Sequence, residues 1–289
     1  MTTCDRCKLE ISPNVLQCPH CGWPGLYPNV VQAELERTEL QHRHQLALGA
    51  CAADLDSVAQ RFENAVNGSH AVMCVKASEA HRIVFGDNEL KATYYATADT
   101  RFPRATPPEG TDWNAIRELV DSALFTDAVK PHIRFAALAL TFDGLTAYGP
   151  CTLVCETSMI EHRASAFEKN SCQFFIDRRG ISFATGKVEV PSGYRSTWQD
   201  RGKLSVAKLA DRLEKEMDDE DFAELLMTSG TTTADDKYVE VHICGPVSLR
   251  TLKGVAIDDH ALAAIGQRGI LADLRDRLET QQLLLTTQP

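Results

Sequence analysis

The sequence predicts an α+β protein: a small cysteine-rich module, a helical segment, and a larger domain of antiparallel strands and helices. Two Cys-x-x-Cys pairs stand within the first 21 residues, residues 30–66 contain no proline, and short β-type runs mix with helical runs from residue 71 onward. Strands and helices without a regular β-α-β order favour antiparallel over doubly wound parallel sheet. We therefore divide the chain into domains at 1–27, 28–68 and 69–289.

The composition is that of a folded globular chain and excludes several classes. The 289 residues are 44% hydrophobic and 24% charged, far from the range in which chains stay disordered. A formal net charge of -10 excludes non-specific coating of nucleic acid through a global positive field. No segment reaches the roughly 18 consecutive apolar residues of a membrane helix, and the N-terminus lacks a secretory pattern. We therefore expect a cytoplasmic protein without membrane contact.

The N-terminal module is predicted to bind zinc through Cys4, Cys7, Cys18 and Cys21. Each Cys-x-x-Cys pair forms a tight knuckle that points two thiolates at one ion, and Gly22 follows the second pair, where a left-handed backbone conformation is often needed. The order Cys-x2-Cys, loop, Cys-Pro-x-Cys-Gly is similar to that of short zinc ribbons. Four thiolates leave no open position for water, so this zinc is expected to be structural.

The segment after the zinc ribbon is predicted to be helical. It is rich in Glu, Leu, Ala, Gln and Arg, and Gly49 is the one glycine between residues 30 and 66, which favours one long helix or two helices that meet near Gly49. The second half has an apolar stripe with steps of three and four: Leu48, Ala52, Leu55, Ala59, Phe62 and Val66. The first half is polar on all sides, so we expect a solvated arm that holds the ribbon away from the main domain.

From residue 71 the hydrophobic pattern changes to that of short strands. Runs of β-type residues bounded by turn residues occur at 71–75, 90–96, 133–140, 151–155, 172–176, 181–190 and 238–243. Helical runs are predicted at 112–119, 158–167, 205–217, 221–227 and 258–284. The sequence contains no Gly-x-Gly-x-x-Gly, phosphate-binding loop, Gly-x-Ser-x-Gly or His-Glu-x-x-His motif, so no common enzyme class is indicated by a motif.

One strand of the main domain contains an unusual carboxylate. Residues 236–249 set Glu240 among β-branched residues before a Gly-Pro turn. A carboxylate in an apolar strand is unfavourable unless it is paired or solvated in a cleft. Two interpretations stay open: Glu240 belongs to a functional site, or it faces water on an edge strand. His242 shares its strand face and is expected to be half-buried with satisfied hydrogen bonds.

The chain resembles bacterial members of the ADP-ribosyltransferase superfamily, which include toxin-like and phage-defence proteins. The resemblance rests on a glycine-led strand, an Arg-Ala-Ser turn at residues 163–165, and a later Val-Glu-Val-His-Ile strand followed by Gly-Pro, and it covers roughly residues 70–260. It implies two small antiparallel sheets, split around a cleft that binds NAD as substrate. It also implies transfer of ADP-ribose to a nucleic acid or protein, with Glu240 as the catalytic glutamate.

The chemistry gives a separate reason for a carboxylate at such a site. Breaking the N-glycosidic bond develops oxocarbenium charge on the ribose, which a fixed carboxylate stabilises while it accepts from a ribose hydroxyl. By the resemblance, Tyr95 and Thr97 line the nicotinamide slot, and ribose or phosphate is contacted by Arg163, Ser165 and Asn170. The alternative for Arg163 is that it caps the end of its own helix. The ribbon and the arm are then expected to select the target or to bind an antitoxin or another regulatory protein.

The sequence departs from the family pattern at two places. The family's first strand usually offers Arg or His to NAD, whereas the strand at 71–76 offers only Lys76, with His81 and Arg82 just beyond. Many members carry an acidic residue or Gln two positions before the late Glu, where this chain has Tyr238, and this is compatible with an acceptor other than arginine. The alternative function is a non-catalytic zinc-ribbon adaptor with a degenerate transferase-like scaffold. A metal-dependent nuclease is a third interpretation, without a ligand cluster of the required spacing.

Overall fold

A computed structural model describes most of the chain, namely residues 2–4, 6–12, 15, 17–22, 25, 27–86, 89–95, 113–178, 181–182, 187–188, 190–258, 268–280 and 283–288. Thr97 lies outside the described residues, as does the predicted helix start at residue 112. The N-terminal module contains a short hairpin, in which β1 (Thr2–Thr3) pairs antiparallel with β2 (Glu10–Ile11).

Three helices follow the N-terminal module: α1 (Pro28–Leu35), α2 (Arg37–Ala50) and α3 (Asp56–Asn67). The predicted break near Gly49 is confirmed, because Cys51 leaves α2 in an extended conformation. Of the predicted apolar stripe, Ala59, Phe62 and Val66 are buried in α3, together with Val58, whereas Ala52 is exposed. Helix formation in this segment therefore follows from local residue choice and one amphipathic face.

The expectation of a solvated arm is wrong. Helix α2 packs along a helix of the main domain, Arg201–Leu209, and Leu40 is 1% exposed within the main core. The guanidinium of Arg43 lies 3.6 Å from the centroid of the Tyr194 ring, and it also pairs with Glu168. Arg43 of the polar stretch is thus a partner of the main domain, whereas His42 and Gln45 are exposed.

The main domain is built on a mixed sheet. Its strands are β3 (His70–Val75), β4 (Ile133–Ala139), β5 (Cys151–Cys155), β6 (Ala164–Phe167), β7 (Ile181–Ser182), β8 (Lys187–Val188), β9 (Arg195–Thr197), β10 (Glu240–Cys244), β11 (Leu252–Asp258) and β12 (Leu284–Gln288). Strands β7 and β8 form a separate hairpin, and the other eight form one sheet in the order β12-β11-β5-β3-β4-β10-β6-β9. Neighbours are antiparallel except for β11 and β12, which are parallel. The α+β class is therefore confirmed.

Strands β3 and β4 lie at the centre of one continuous sheet. The two strands pair through three residues of β3, His70, Ala71 and Val72, and from Val72 to Val75 β3 pairs with β5 on its other side. Strand β4 continues along β10 through five residue pairs. Among the described strands, the expectation of two separate sheets is therefore wrong. The first half of β3 pairs with β4, and this pairing joins two groups of four strands into one sheet.

Seven helices are described in the main domain: α4 (Ala77–Phe85), α5 (Trp113–Leu124), α6 (Thr157–Ile160), α7 (Ser171–Asp177), α8 (Arg201–Leu209), α9 (Asp219–Leu226) and α10 (Arg268–Thr280). Three element types were predicted wrongly. Residues 90–95, the described part of the predicted strand 90–96, contain one isolated bridge at Leu90 and no strand. Residues 164–167 form strand β6 because β9 and β10 pair with them, and residues 172–176 are helical. The side chain of Asn170 accepts from the backbone N–H of Gln173 at 3.0 Å, and this cap starts α7 despite the β-type residues that follow.

The half-sheet of β4, β10 and β6 is covered on both faces, and this decides where Glu240 points. Val241 and Ile243 of β10 face a large core with α3, α8 and α9. By the two-residue period of a strand, Glu240 and His242 face the opposite side, where a smaller core packs against α5 and α7. Among the helices described, none is both long and apolar enough to cross a membrane.

Candidate functional site

The four predicted zinc ligands come together in the N-terminal module. The sulfur atoms of Cys4, Cys7, Cys18 and Cys21 all lie within 4.8 Å of one another. Cys4 lies 3.7 Å from Cys21, and Cys7 lies 3.7 Å from Cys18. Four sulfurs bound tetrahedrally at about 2.3 Å from one ion are roughly 3.8 Å apart. The cluster therefore has the size of a four-sulfur metal centre and can hold a metal ion.

The backbone around these cysteines also has the form of a metal knuckle. Burial opposes ionisation of Cys4, but backbone N–H groups of Cys7 and Arg6 donate to its sulfur and lower its pKa to about 6. Gly22 has a φ of 69°, the left-handed conformation predicted for the residue after the second pair. His20 bonds to a backbone carbonyl of β2 at 3.2 Å and lies outside the four-sulfur group.

Glu240 occupies an interior position of the sheet. Its strand lies between β4 and β6 and the residue is 1% exposed, so the interpretation as a solvated edge-strand residue is wrong. The Oε1 atom of Glu240 accepts from the backbone N–H of Ser171 at 3.2 Å and from Nε2 of His242 at 2.8 Å. Both bonds end on Oε1.

The surroundings favour the ionised form of Glu240. Burial alone raises the pKa of a carboxyl, but His242, Arg117 and the N–H of Ser171 together outweigh it and hold the pKa of Glu240 below its ordinary value of 4.5. His242 is 2% exposed and thus more deeply buried than expected. Three phenylalanine rings surround its imidazole at 5.0, 5.3 and 5.9 Å: Phe125, Phe135 and Phe167.

A second polar group lies beside Glu240 on helix α5. The Nε atom of Arg117 donates to Oδ2 of Asp121 at 2.9 Å, and its Nη1 donates to Sγ of Cys172 at 3.6 Å. The hydroxyl of Tyr95 donates to the same Oδ2 at 3.0 Å. Burial raises the pKa of Asp121, although Arg117 and Tyr95 act in the opposite direction. Sequence reasoning singled out neither Arg117 nor Asp121, whose spacing of four residues was the available signal.

Several buried polar atoms of this region have no hydrogen-bond partner. We call Arg117, Asp121, Ser171, Glu240 and His242 the Glu240 cluster. Within the part of the chain that the structure describes, the unpartnered atoms of the cluster are Nη2 of Arg117, Oδ1 of Asp121 and Oγ of Ser171. A buried polar atom without a partner is unfavourable by about 1–3 kcal/mol. Three of them in one cluster leave hydrogen-bonding capacity that a polar ligand or bound water can satisfy.

Tyr95 and Asn170, two of the predicted site residues, lie next to the Glu240 cluster. Tyr95 bonds to Asp121, as described above. The Nδ2 atom of Asn170 donates to the hydroxyl of Tyr238 at 2.7 Å, and the same hydroxyl interacts with that of Tyr148. Asn170 also precedes Ser171, whose N–H holds Glu240. These residues therefore extend the polar region toward Tyr148, which is 42% exposed.

Arg163 and Ser165 have other partners. Arg163 donates from Nε to the carbonyl of Met159 at 2.9 Å and from Nη1 to that of Cys244 at 2.8 Å, so it caps the end of α6, as its alternative interpretation predicted. The Nδ2 atom of Asn29, in α1, lies 3.1 Å from Oγ of Ser165. It also lies 3.1 Å from the carbonyl oxygen of Arg163 and 2.9 Å from that of His242. The bonds given for both side chains hold helices to the sheet.

The residues considered for the first-strand role lie on or before α4. Arg82 pairs with Glu79 and Glu89, and the ring of His81 stacks on Phe85 with centroids 4.3 Å apart. Lys76 immediately precedes α4. These described contacts stay within and around α4, so none of them places a cation of this segment at Glu240.

A cavity of about 460 Å³ lies elsewhere, between the end of α2 and the end of α8. Its walls are mostly small apolar side chains, with Cys51, Lys208 and Asp211 among them. This cavity includes no residue of the Glu240 cluster. The two features are therefore separate.

The fold and the two clusters define an α+β protein with a four-cysteine module that can hold a metal ion and a buried carboxylate, imidazole and guanidinium cluster on an interior strand. Comparison with known protein families finds no matching family, and comparison with curated proteins finds no match either. Function is therefore argued from the chemistry of these side chains.

Proposed function

We propose that this chain transfers ADP-ribose from NAD to a macromolecule, with Glu240 as the catalytic carboxylate. Nicotinamide leaves with the electron pair of the glycosidic bond, and a nucleophile of the acceptor forms the new bond to the same ribose carbon and gives up a proton. The observation that supports the proposal most is the buried carboxylate of Glu240 on an interior strand, with Oε1 held by two bonds. In the proposal, a ribose hydroxyl donates to this carboxylate.

The electrostatics of the site suit this chemistry. A carboxylate fixed in apolar surroundings stabilises a developing positive charge more strongly than one in water, and it needs no reorganisation during the reaction. The ring contacts of His242 supply the apolar surroundings, and the bonds to Oε1 supply the fixed orientation. Arg117 on the neighbouring helix favours the ionised state of Glu240 before NAD arrives.

Access to Glu240 is part of the proposal. Because the residue is 1% exposed, NAD contacts its carboxylate only after local opening of the packing around α5 and α7. When only a small fraction of the molecules is in the binding-competent state, the apparent affinity for NAD is lower than the intrinsic affinity by that fraction. We propose that the acceptor or a regulatory partner, such as an antitoxin, shifts this equilibrium through the N-terminal module and the helices behind it.

The finer fold assignment belongs to the same proposal. An ADP-ribosyltransferase-like core is proposed from the sequence resemblance, with one continuous sheet in place of two. Glu240 stands on β10, which pairs with β4 in the interior of this sheet. The setting of a toxin or a phage-defence effector rests on the sequence resemblance.

We propose zinc as the metal of the four-cysteine module. Thiolates are the preferred ligands of structural zinc, and the sulfur spacing of 3.7 Å matches a closed tetrahedral site. With four protein ligands the ion has no position for water or substrate. The module is then a folded docking surface for the acceptor or partner.

NAD turnover tests the proposed function. The full chain and its Glu240→Gln variant are incubated with NAD labelled in the adenylate part, and RNA, DNA and protein are offered separately as acceptors. Label on one acceptor class, lost in Glu240→Gln, is the expected result. Glu220→Gln, which changes an exposed glutamate of α9, is the matched control and keeps full activity. Absence of turnover with every acceptor, together with absence of NAD binding by calorimetry, overturns the proposal.

A non-catalytic adaptor is the second candidate function. It is favoured by the 1% exposure of Glu240 and by the structural bonds of Arg163 and Ser165. An adaptor binds no NAD, and its partner dissociates in a Cys4→Ser/Cys7→Ser variant whose main domain stays folded. The transferase instead binds NAD in both forms of the chain.

A further inference from the structure

Two adjacent side chains of the Glu240 cluster, Arg117 and Asp121, each have one polar atom without a hydrogen-bond partner. Arg117 engages Nε and Nη1, and its Nη2 has no partner. Asp121 accepts two bonds on Oδ2, and its Oδ1 has no partner. Asp121 is 0% exposed, so bulk water does not donate a hydrogen bond to its free oxygen. The pair therefore offers an unused donor and an unused acceptor in a dry environment.

These two atoms have opposite hydrogen-bonding character. A guanidinium nitrogen only donates, and an oxygen of an ionised carboxylate only accepts. Arg117 and Asp121 stand one helical turn apart and are joined by their ion pair, so the free atoms are held on neighbouring groups. A primary carboxamide complements both: its carbonyl oxygen accepts from Nη2 and its NH2 group donates to Oδ1.

The ion pair of Arg117 and Asp121 lies within α5, so it moves with the helix when the packing opens, and two further contacts restrain it in the closed structure. The guanidinium of Arg117 lies 3.6 Å from the centroid of the Phe135 ring, which restrains its plane, and Tyr95 restrains Asp121 through the bond to Oδ2. Preorganised polar groups lose little entropy when a ligand binds. The ring of Phe135 and the neighbouring Phe125 also give the site apolar walls.

The charges of the cluster select for a neutral group. Asp121 and the ionised Glu240 act on each other as like charges, and Arg117 is the cation that both share. A ligand carboxylate in the same place brings a third anion next to Asp121. A carboxamide makes the same two contacts without that repulsion.

We propose that Arg117 and Asp121 form a carboxamide subsite, which binds the amide of the nicotinamide group when NAD is at Glu240. The inference rests on the proposed function, because it takes NAD as the ligand. It adds two specificity-determining residues on α5, Arg117 as donor and Asp121 as acceptor, that discriminate a nicotinamide from a nicotinate group.

The test compares two dinucleotides that differ only at this group. The full chain is titrated by calorimetry at pH 7.5 with NAD and with its nicotinic acid analogue, in which a carboxylate replaces the carboxamide. We expect the wild type to bind NAD at least about tenfold more tightly than the analogue, a difference of about 1.4 kcal/mol. Asp121→Asn keeps an acceptor for Arg117 and Tyr95 but removes the negative charge, so this preference should fall to about threefold or less.

Two further variants keep the result interpretable. Arg117→Lys keeps the charge and removes Nη2, so it should weaken NAD binding about tenfold. This variant tests the subsite if Asp121→Asn does not fold. Asp276→Asn removes the same charge from an exposed position of α10 and should leave both affinities unchanged. Binding of free nicotinamide and nicotinate, observed by ligand NMR, reports on the subsite without the rest of NAD.

Failure of the subsite is distinguishable from failure of the proposed function. If NAD binds and Glu240→Gln abolishes transfer, but Asp121→Asn keeps the wild-type preference, the subsite is wrong and the transferase stands. If nicotinamide binds the wild type better than nicotinate and this preference disappears in Asp121→Asn while NAD does not bind, the subsite stands and the transferase is wrong. If neither nicotinamide nor NAD binds, both proposals are overturned and water satisfies the free atoms.

Discussion

The Nε2 atom of His242 lies 2.8 Å from Oε1 of Glu240, and both side chains are 2% exposed. The two residues are neighbours because alternate residues of a strand face the same side. Their hydrogen bond has the largest effect among those that lower the pKa of Glu240. His242 is therefore a positioning residue for the carboxylate, and its removal should change how the protein responds to acid.

His242→Leu should lower the free energy of unfolding at pH 7 by about 1–3 kcal/mol, because leucine has no donor and the buried hydrogen bond to a charged group is lost. Glu240 has a lowered folded-state pKa, so its ionised form stabilises the fold above its ordinary value of 4.5, and this contribution is lost as the pH falls through the lower folded value. In the variant that acid-dependent loss should be smaller. Urea unfolding of the wild type and the variant at a series of pH values between 3 and 7 measures this loss of stability.

A double-mutant cycle with Glu240→Gln is the control for this prediction. The two changes should be coupled by at least about 1 kcal/mol, since His242→Leu removes the donor and Glu240→Gln removes the charge of the same hydrogen bond. Additive effects, or an acid dependence in His242→Leu equal to that of the wild type, would show that His242 does not hold the carboxylate.

Metal removal should unfold the N-terminal module and leave the main domain folded. The module has its own small core of Cys4, Ile11 and Cys18, which depends on the ligands themselves. We expect elemental analysis to find one zinc per chain in the wild type and none in Cys18→Ser, with rapid amide exchange confined to residues 2–22. Cys51→Ser, which removes a thiol outside the module, should retain the metal. Retention of zinc in Cys18→Ser would contradict the four-cysteine assignment.

Gly149→Ala should destabilise the main domain by about 3 kcal/mol or more. Gly149 has a φ of 147°, which strains any L-residue, and a Cβ built on it would lie 2.2 Å from the carbonyl oxygen of Val75. The matched control is Gly49→Ala, since nothing lies within 4 Å of a Cβ at that position. Alanine in place of a helical glycine should stabilise by about 0.5–1 kcal/mol. Thermal or urea unfolding compares the two variants, and equal stabilities would count against the described turn at Gly149.

Lys208 should make stability rise with pH above neutrality. Burial lowers its pKa to about 8 from 10.5, so between about pH 8 and 10.5 the unfolded chain binds more protons than the folded chain, and stability increases through this window. Lys208→Met should remove roughly 2 kcal/mol of that increase. Urea unfolding at pH 7 to 10.5 measures it, with the exposed Lys215→Met as control. An unchanged pH profile in Lys208→Met would refute the lowered pKa.

Ser165→Ala separates the structural role of Ser165 from a role in binding NAD. Its hydroxyl accepts from Asn29 in α1, so the variant should lose about 0.5–1.5 kcal/mol of stability and keep the wild-type affinity for NAD within about twofold. Calorimetry and urea unfolding give the two values. A tenfold loss of NAD affinity at unchanged stability would instead support the ribose contact implied by the resemblance.

Features that depend on neighbouring residues could be predicted from the sequence. The four-cysteine cluster follows from two local spacings, and the buried face of α3 follows from the steps between Ala59, Phe62 and Val66. Glu240 was identified because it interrupts an apolar strand. In each case the pattern lies within about twenty residues of chain.

Features that depend on distant partners were missed. Residues 164–167 are a strand because β9 and β10 pair with them, and α2 is docked because Arg43 meets Tyr194 and Glu168. Arg117 and Asp121 become part of a site only when α5 packs against the face of β10 that carries Glu240. The local sequence around these residues contains no sign of that packing.

The bonds of Asn29 have a consequence for how the chain is made. Asn29 is separated by 134 residues from Arg163 and by 213 residues from His242, so α1 leaves the ribosome long before its partners. At about 5–20 residues per second, the wait for His242 lasts roughly 10–40 s. During that interval the docking face of α1, with Asn29 and Ala33, is exposed on a nascent chain. Release of shortened chains that end before β10 should therefore be accompanied by aggregation, which makes translation speed and chaperone supply determinants of the yield of this protein.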